Sequence, residues 1–250
     1  MMIDLHCHIL PGLDDGPKDL KDTLAMARIA AADGVHTICA SPHLFNGVFA
    51  TSRTSILERL AQAREAVQAA GIGVVLRPAA DMHLTPEFFE ALKNRSIITI
   101  GETGKYMLLE FPSTIPSGTP ELIFQLRLQG YVPILTHPER ATELAENPKK
   151  LKELVRLGCL TQITAASLTG QFGRAAQKAA DRFVRDRIAH LIATDAHDPE
   201  FRPPILSQAF NVLRSLVGTA EAEEIMLRRP QLVLQGKTFA VPEPRKRFFE

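Results

Sequence analysis

The chain has 250 residues, of which 45% are apolar and 23% charged, and its formal net charge is +1 at pH 7. This length suits one large α/β domain or two small ones, and the composition is that of a soluble protein with a substantial core. The near-zero charge argues against a surface that coats nucleic acid, and no apolar run reaches membrane-spanning length.

Strands and helices are predicted to alternate along the whole chain. Unbroken, β-branched apolar runs predict strands near residues 2–8, 35–40, 73–80, 106–111, 132–136, 160–163 and 188–194. Such runs are typical of parallel strands that are buried on both faces. Helical spacing of apolar residues predicts the first two helices, with stripes at Leu20, Leu24, Ala27 and Ala31 and at Ile56, Leu60, Ala63 and Val67.

Glycine and proline mark where the predicted helices end and begin. Glycines that close a helix just before a strand stand at Gly34, Gly71, Gly130 and Gly158. An N-cap followed by proline is expected at Thr85-Pro86, Thr119-Pro120 and Asn147-Pro148. No linker or low-complexity stretch appears, so we expect a single domain over residues 1–250. The basic tail at residues 245–249 is expected to be a mobile terminus.

Side chains that can bind metal follow most of the predicted strands. His6 and His8 are two residues apart on the first strand, so their imidazoles point the same way. Further candidates at or after strand ends are Asp15, His43, Asp81, Glu110, His137, Asp195 and His197. Only a barrel brings the carboxyl ends of so many strands around one point, so we expect a closed or nearly closed barrel rather than an open sheet.

Nine candidate ligands exceed the needs of one ion and suit two or three divalent ions with bridging carboxylates. Mixed imidazole and carboxylate ligands fit manganese, iron or zinc better than magnesium or calcium. Clustered ions lower the pKa of a bound water and hold the oxygens of a phosphoryl group during in-line displacement.

Several residues have a structural alternative. Asp14 and Asp15 compete for one role beside the Gly16-Pro17 turn. The remaining histidines are expected to be structural, because nothing pairs them at predicted strand ends; they are His36, His83 and His190. The cysteines, Cys7, Cys39 and Cys159, are odd in number and lie in or beside predicted strands. We expect reduced thiols in a cytoplasmic protein without a signal peptide.

Six short motifs carry most of the candidate ligands. They are His6-x-His8, Asp15-Gly16, Ser41-Pro42-His43, Glu110-Phe111, His137-Pro138-Glu139-Arg140 and Asp195-Ala196-His197. These motifs resemble those of the PHP (polymerase and histidinol phosphatase) superfamily, and more narrowly its bacterial capsule-type tyrosine phosphatases of the CpsB/CapC/YwqE type. The resemblance runs from residue 2 to about residue 235.

The resemblance implies a distorted (β/α)7 TIM-like barrel of the PHP type and a metal centre usually active with manganese. It also implies hydrolysis of phosphotyrosine on a bacterial tyrosine autokinase that controls capsule or exopolysaccharide assembly. The family's nine ligands carry over to the nine candidates above, with Asp15 rather than Asp14. Its phosphate-contacting arginines carry over to Arg140 and Arg202.

A hypothetical mechanism assigns six of these ligands to two ions and three, Asp15, His43 and His197, to a third. Asp15 or His43 would also supply a proton to the leaving phenolate. No Cys-x5-Arg loop or Walker loop is present, so we expect sensitivity to chelators and resistance to thiol reagents.

One position departs from the family pattern. Asp81 stands where the family usually has glutamate, and its side chain is one methylene shorter, which puts the bridging of two ions in question. Three other functions stay open: a phosphoesterase for a small monoester such as histidinol phosphate, a nuclease, and a non-catalytic metal-binding partner of a kinase. Phe45, Phe49 and Tyr106 are candidates for stacking on a tyrosyl ring or, equally, for the core.

Overall fold

The computed structural model describes residues 1–245. The prediction of a mobile tail concerns residues that lie almost entirely beyond this range. Within it the chain forms nine strands, which are β1 (Met2–Cys7), β2 (Val35–Ala40), β3 (His43–Leu44), β4 (Val75–Pro78), β5 (Asp81–His83), β6 (Tyr106–Glu110), β7 (Val132–Thr136), β8 (Leu160–Thr164) and β9 (Leu191–Ala193).

Helices lie in the longer connections between these strands and after β9. They are α1 (Leu20–Ala32), α2 (Arg53–Ala69), α3 (Pro86–Lys93), α4 (Thr119–Leu128), α5 (Thr142–Glu146), α6 (Pro148–Arg156), α7 (Ala165–Leu168), α8 (Gly173–Arg185), α9 (Ser207–Val217), α10 (Thr219–Glu223) and α11 (Arg229–Leu234). Short 3-10 turns occur at Ile100–Glu102 and Pro138–Arg140, and a π-helical segment at Glu224–Arg228. In this part of the chain, no helix is both long and apolar enough to cross a bilayer.

The strands are parallel and form two sheets, with the orders β1-β2-β4 and β3-β5-β6-β7-β8-β9. Two residues separate β2 from β3, and two separate β4 from β5, so each pair occupies one strand position and residues 1–245 form seven positions. A parallel bridge joins Cys7 to Ala196, and the amide of His8 donates to the carbonyl of Ala196 at 2.8 Å. The first strand thus meets the segment after the last one.

This arrangement is the α/β fold that the sequence predicts, a distorted barrel of seven parallel strand positions. The ladder of hydrogen bonds is not continuous around the barrel. It divides into two sheets because the strands are interrupted at Ser41-Pro42 and Ala79-Ala80. Of the expected closed or nearly closed barrel, the closed form is therefore wrong: the barrel is split into two sheets, and few hydrogen bonds join its first and last strands.

All seven predicted strands are confirmed, and two of them, Val35–Ala40 and Val132–Thr136, have the predicted ends. The short strands β3 and β5 were not predicted, since two or three residues carry no periodic signal. The predicted stripe of α2 is its buried face. In α1 the buried face is shifted, because Leu20 is 38% exposed and Met26 is buried instead.

The helix boundary signals are confirmed with one exception. The four glycines predicted to close helices all have positive φ, between 65° and 95°. Thr85 and Asn147 are N-caps as predicted, but α4 begins at Thr119, and Gly118 takes the N-cap position.

Two hydrophobic clusters bury the strands on both faces. On β6, Met107 and Leu109 belong to the larger cluster, whereas Tyr106 and Leu108 belong to the smaller one. Glu110 follows the alternation of Leu108, so its carboxylate lies where the smaller cluster ends. Cys7 lies in the larger cluster, which confirms its expected place in the core.

A buried histidine outside the metal candidates predicts acid sensitivity. His190 is fully buried, and its Nδ1 accepts the amide of Thr161 at 3.0 Å. Burial, and then the charge of Arg229, lower the pKa of His190 to about 3 from its ordinary 6.5. Below pH 6.5 the unfolded chain binds a proton that the folded chain does not, so this contribution to stability is present above pH 6.5 and is lost as the pH falls towards 3.

We therefore expect His190→Asn to lessen the loss of stability between pH 7 and pH 5. The imidazole accounts for about 2 kcal/mol of that loss. Urea unfolding of metal-free wild type and variant at both pH values measures the difference. Equal losses in the two proteins would contradict the assignment.

Candidate metal centre

The carboxyl ends of the strands bring all nine predicted ligands into one cluster. His6 is the next-to-last residue of β1, and His43, Asp81 and Glu110 lie on β3, β5 and β6. His137 directly follows β7, with φ of 35°, and Asp195 lies two residues after β9, with φ of 52°. Left-handed backbone at a non-glycine residue is strained and concentrates at functional sites.

A first group of ligand atoms surrounds His6. Its Nε2 lies 3.1 Å from Nε2 of His8, 3.4 Å from Oδ1 of Asp195 and 3.6 Å from Oδ2 of Asp81. Oδ1 of Asp195 is also 3.5 Å from Nε2 of His8. The four side chains are almost entirely buried.

A second group shares Asp81 with the first. Nε2 of His137 lies 4.0 Å from Oδ2 of Asp81 and 3.7 Å from Oε1 of Glu110. Nδ1 of His43 lies 3.8 Å from the same Asp81 oxygen. A single Asp81 oxygen is therefore within 4.0 Å of three imidazole nitrogens, despite the shorter side chain.

The third group lies at the solvent side of the cluster. Oδ1 of Asp15 is 3.6 Å from Nε2 of His43 and 3.4 Å from Nε2 of His197. With His8, these residues offer four ligand atoms that all lie within 4.8 Å of one another. Asp15 is 51% exposed, which makes this the most accessible of the groups.

His83 lies against two of the candidate ligands. The premise that nothing pairs it at a strand end is wrong, because its Nε2 lies 2.6 Å from Oε2 of Glu110 and 3.4 Å from Nδ1 of His43. The reason is that His83 ends β5, a strand too short to be predicted. The other two, His36 and His190, lie outside the ligand groups found among residues 1–245.

The competition between Asp14 and Asp15 resolves into two different positions. The carboxylate of Asp14 binds two of the candidate ligands. Its Oδ2 accepts Nδ1–H of His8 at 2.7 Å and the backbone amide of His43 at 2.8 Å. Gln162 on β8 likewise accepts Nδ1–H of His6 at 2.8 Å. Such partners fix the tautomer and orientation of a ligating imidazole.

The glycine after the two aspartates is required by a close approach. A Cβ on Gly16 would lie 2.5 Å from the carbonyl oxygen of His8 and 3.2 Å from Cβ of His8. Real Cβ atoms do not approach backbone so closely, so any side chain here would displace His8. This explains why the turn that carries Asp14 and Asp15 ends in glycine.

Electrostatics in the cluster favour the binding of cations. Burial, with the charges of Glu110 and Asp195, raises the pKa of Asp81 well above its ordinary value. Burial, with the facing His197 and His6, lowers the pKa of His8. Metal binding requires neutral imidazoles, and a bound cation offsets the repulsion between crowded carboxylates.

The donor set fits a multinuclear metal centre. Oδ2 of Asp81 is buried and has no hydrogen-bond partner, which is costly unless a cation satisfies it. Thiolates do not contribute, since the three cysteines are buried and free and none belongs to the ligand groups found in the described residues. Nitrogen and oxygen donors of this kind suit manganese, iron or zinc.

Two arginines approach the cluster from different loops. Nη1 of Arg140 and Nη2 of Arg202 donate to the same oxygen, Oδ2 of Asp195, at 2.6 and 2.7 Å. Burial alone would raise the pKa of Asp195, but His6, His137 and Arg202 lower it to about 2. The cluster therefore has two fixed cations at one edge, 37% and 26% exposed.

The three candidate stacking aromatics have different places. Phe49 stacks on His43 at 6.0 Å between ring centroids and lies beside the cluster. Phe45 packs on Phe88 and against the core. Tyr106 is 2% exposed and donates its hydroxyl to the carbonyl of Lys237, so it lies in the core.

We expect Asp14→Asn to lower metal affinity and activity by about 10–100-fold, the usual effect of losing a partner of a ligating histidine. The amide keeps the shape of the side chain but loses the charge that orients His8. Metal titration with a competing chelator measures the change, with Asp22→Asn on α1 as control. Equal affinity in Asp14→Asn and wild type would contradict this role.

Known proteins resemble the chain over nearly its full length. A family model described as "Capsular polysaccharide synthesis, CpsB/CapC" matches residues 2–235. Tyrosine-protein phosphatase YwqE of Bacillus subtilis is 35% identical over 249 residues, which cover 98% of this chain and 97% of YwqE.

Solved structures agree with the sequence matches. A chain from the crystal structures of YwqE from Bacillus subtilis and CpsB from Streptococcus pneumoniae, described as unique metal-dependent tyrosine phosphatases, superposes with a TM-score of 0.92 at 35% identity, covering 98% of this chain and 100% of that one. A histidinol phosphate phosphatase from Lactococcus lactis has a TM-score of 0.56 at 12% identity, covering 88% and 93%, which shows a shared fold alone.

Proposed function

The chain belongs to the CpsB/CapC family of capsular polysaccharide synthesis proteins, and from this we propose that it is a metal-dependent tyrosine-protein phosphatase. The observation that carries the proposal is the cluster itself. Nine imidazole and carboxylate side chains converge at the strand ends, and two guanidinium groups lie at their edge. This combination suits a phosphate monoester bound beside several cations.

We assign the nine candidate ligands to three ions. His6, His8, Asp81, Glu110, His137 and Asp195 would hold two divalent ions, and Asp15, His43 and His197 a third. Asp81 would contribute to both of the first two ions, because its Oδ2 faces three imidazoles. When bound, the ions supply an ionised water at neutral pH and neutralise charge on the phosphoryl oxygens. Manganese is the ion we propose, with iron or zinc as alternatives.

The protein's own groups bind and orient the substrate. Arg140 and Arg202 would bind non-bridging phosphoryl oxygens, for which a planar guanidinium offers paired donors. Asp15 and His43 lie at the solvent side, and we propose that one of them delivers a proton to the leaving oxygen. Since phenol has a pKa of about 10, the phenolate needs only weak assistance.

We propose that the substrate is phosphotyrosine on a bacterial tyrosine autokinase of a capsule or exopolysaccharide system. The family description supports the capsule context, and the exposed position of Asp15 supports access by a protein segment. A cavity of about 230 Å³ beside Glu110, His137 and Arg140 leaves room next to the cluster. Residues 1–250 would form a single PHP-type phosphoesterase domain, and its buried free thiols support a cytoplasmic location.

Substrate preference tests this proposal. The manganese-loaded protein is assayed on a phosphotyrosine peptide, the same peptide with phosphoserine, and histidinol phosphate. We expect the highest kcat/KM on the phosphotyrosine peptide. Turnover of histidinol phosphate alone would move the function to small phosphate monoesters, and a fully metallated protein without turnover would instead be a non-catalytic kinase partner.

A further inference from the structure

Phe172 follows the strand β8, which is the one strand position in residues 1–245 that contributes none of the nine candidate ligands. It stands between α7 and α8 and is partly buried. Its backbone is held by neighbouring turns, since its amide donates to the carbonyl of Ala166 at 3.4 Å.

The ring contacts both arginines of the site. The guanidinium carbon of Arg140 lies 5.0 Å from the ring centroid of Phe172, and that of Arg202 lies 5.5 Å away. Both distances are within the range of cation–π attraction. Arg140 comes from the turn after β7 and Arg202 from the loop after β9, so Phe172 links two separate loops.

Two guanidinium groups at one edge repel each other. Here they converge on a single oxygen, Oδ2 of Asp195. Arg202 also donates to the backbone carbonyl of Asp195 at 2.9 Å. The other carboxylate oxygen of Asp195 faces His6 and His8 and belongs to the proposed ligands, so Arg140 and Arg202 share Oδ2. The negative face of an aromatic ring adds attraction for both cations without adding a competing charge.

We propose that Phe172 is a positioning residue that holds Arg140 and Arg202 side by side, ready for the phosphate group. The inference rests on the proposed phosphatase function and adds a residue that acts through the arginines. Its ring, rather than its apolar volume, is the required feature.

The test compares ring variants in the manganese-loaded enzyme. Phe172→Leu keeps most of the volume but has no π face, whereas Phe172→Tyr keeps the ring. Pentafluorophenylalanine at position 172 keeps the shape and reverses the charge distribution of the ring. The measurements are kcat and KM on a phosphotyrosine peptide, and the Kd of inorganic phosphate by calorimetry. Phe124→Leu on α4, 47% exposed, is the control.

We expect Phe172→Leu and the fluorinated variant to raise KM and the phosphate Kd by roughly tenfold, as the loss of two cation–π contacts would. Phe172→Tyr and Phe124→Leu should stay near wild type. In an Arg140→Gln/Arg202→Gln background, the two guanidinium groups that contact the ring are gone. The effect of Phe172→Leu on the phosphate Kd should then disappear.

Unchanged binding in both Phe172→Leu and the fluorinated variant would overturn the inference, as would an undiminished effect in the double-arginine background. If wild type hydrolyses phosphotyrosine and the ring variants have its KM and phosphate Kd, the positioning role alone is wrong. If wild type neither binds phosphate nor hydrolyses the peptide, the proposed function is wrong as well.

Discussion

Asp81→Asn should nearly abolish phosphatase activity while stabilising the metal-free protein. The amide preserves the shape of the side chain but removes the charge that faces His6, His43 and His137. Losing several kcal/mol of charge stabilisation corresponds to about a 10³-fold loss of kcat/KM or more. Steady-state assays on a phosphotyrosine peptide at saturating manganese measure it.

The stability of the same variant should move in the opposite direction. Burial, Glu110 and Asp195 raise the pKa of Asp81, so above the pKa of the unfolded chain this carboxyl group costs folding free energy. The amide removes that cost, and each kcal/mol gained raises Tm by about 2–4 °C. Manganese should then stabilise wild type more than the variant.

A matched control is Asp181→Asn on α8, outside the cluster, where neither activity nor the response to manganese should change. Wild-type activity in Asp81→Asn would contradict the bridging role. A lower Tm without metal would contradict the electrostatic account.

Arg140→Gln and Arg202→Gln should each lower kcat/KM by about 10²–10³-fold, the usual loss when one charge-stabilising donor is removed. Lysine at either position should restore little, because a point charge does not reproduce the planar pair of donors. Both arginines share Oδ2 of Asp195 and the ring of Phe172, so we expect the double variant to lose less than the product of the single effects.

Steady-state kinetics on a phosphotyrosine peptide, with metal content measured in each preparation, test this. Arg214→Gln on α9 serves as the control, since it removes an arginine outside the cluster. If Arg202→Gln retained the kcat/KM of wild type, its assigned contact with phosphate would be wrong.

Much of the fold follows from local patterns in the sequence. Long apolar runs predicted all seven main strands because a parallel strand buried on both faces leaves a continuous signal, as in Val132–Thr136. The candidate ligands were predictable for the same reason: most lie within a few residues of the end of such a run, and a barrel brings those ends together.

What the sequence did not reveal depends on residues that meet only after folding. His83 lies on a three-residue strand with no periodicity, and its partner Glu110 is 27 residues away. Gln162 lies inside an apolar strand, where a lone amide gives no hint of contact with His6. The split of the barrel into two sheets arises at short interruptions whose effect on hydrogen bonding is not encoded locally.

The most direct test of the account is removal and return of metal. The protein is stripped with chelator, assayed on a phosphotyrosine peptide, and assayed again after reloading with manganese and counting the bound ions. We expect activity to vanish, to return with two or three ions per chain, and to resist thiol reagents, since burial raises the pKa of Cys7, Cys39 and Cys159. Strong activity in the fully stripped protein would contradict the metal centre as the site of catalysis.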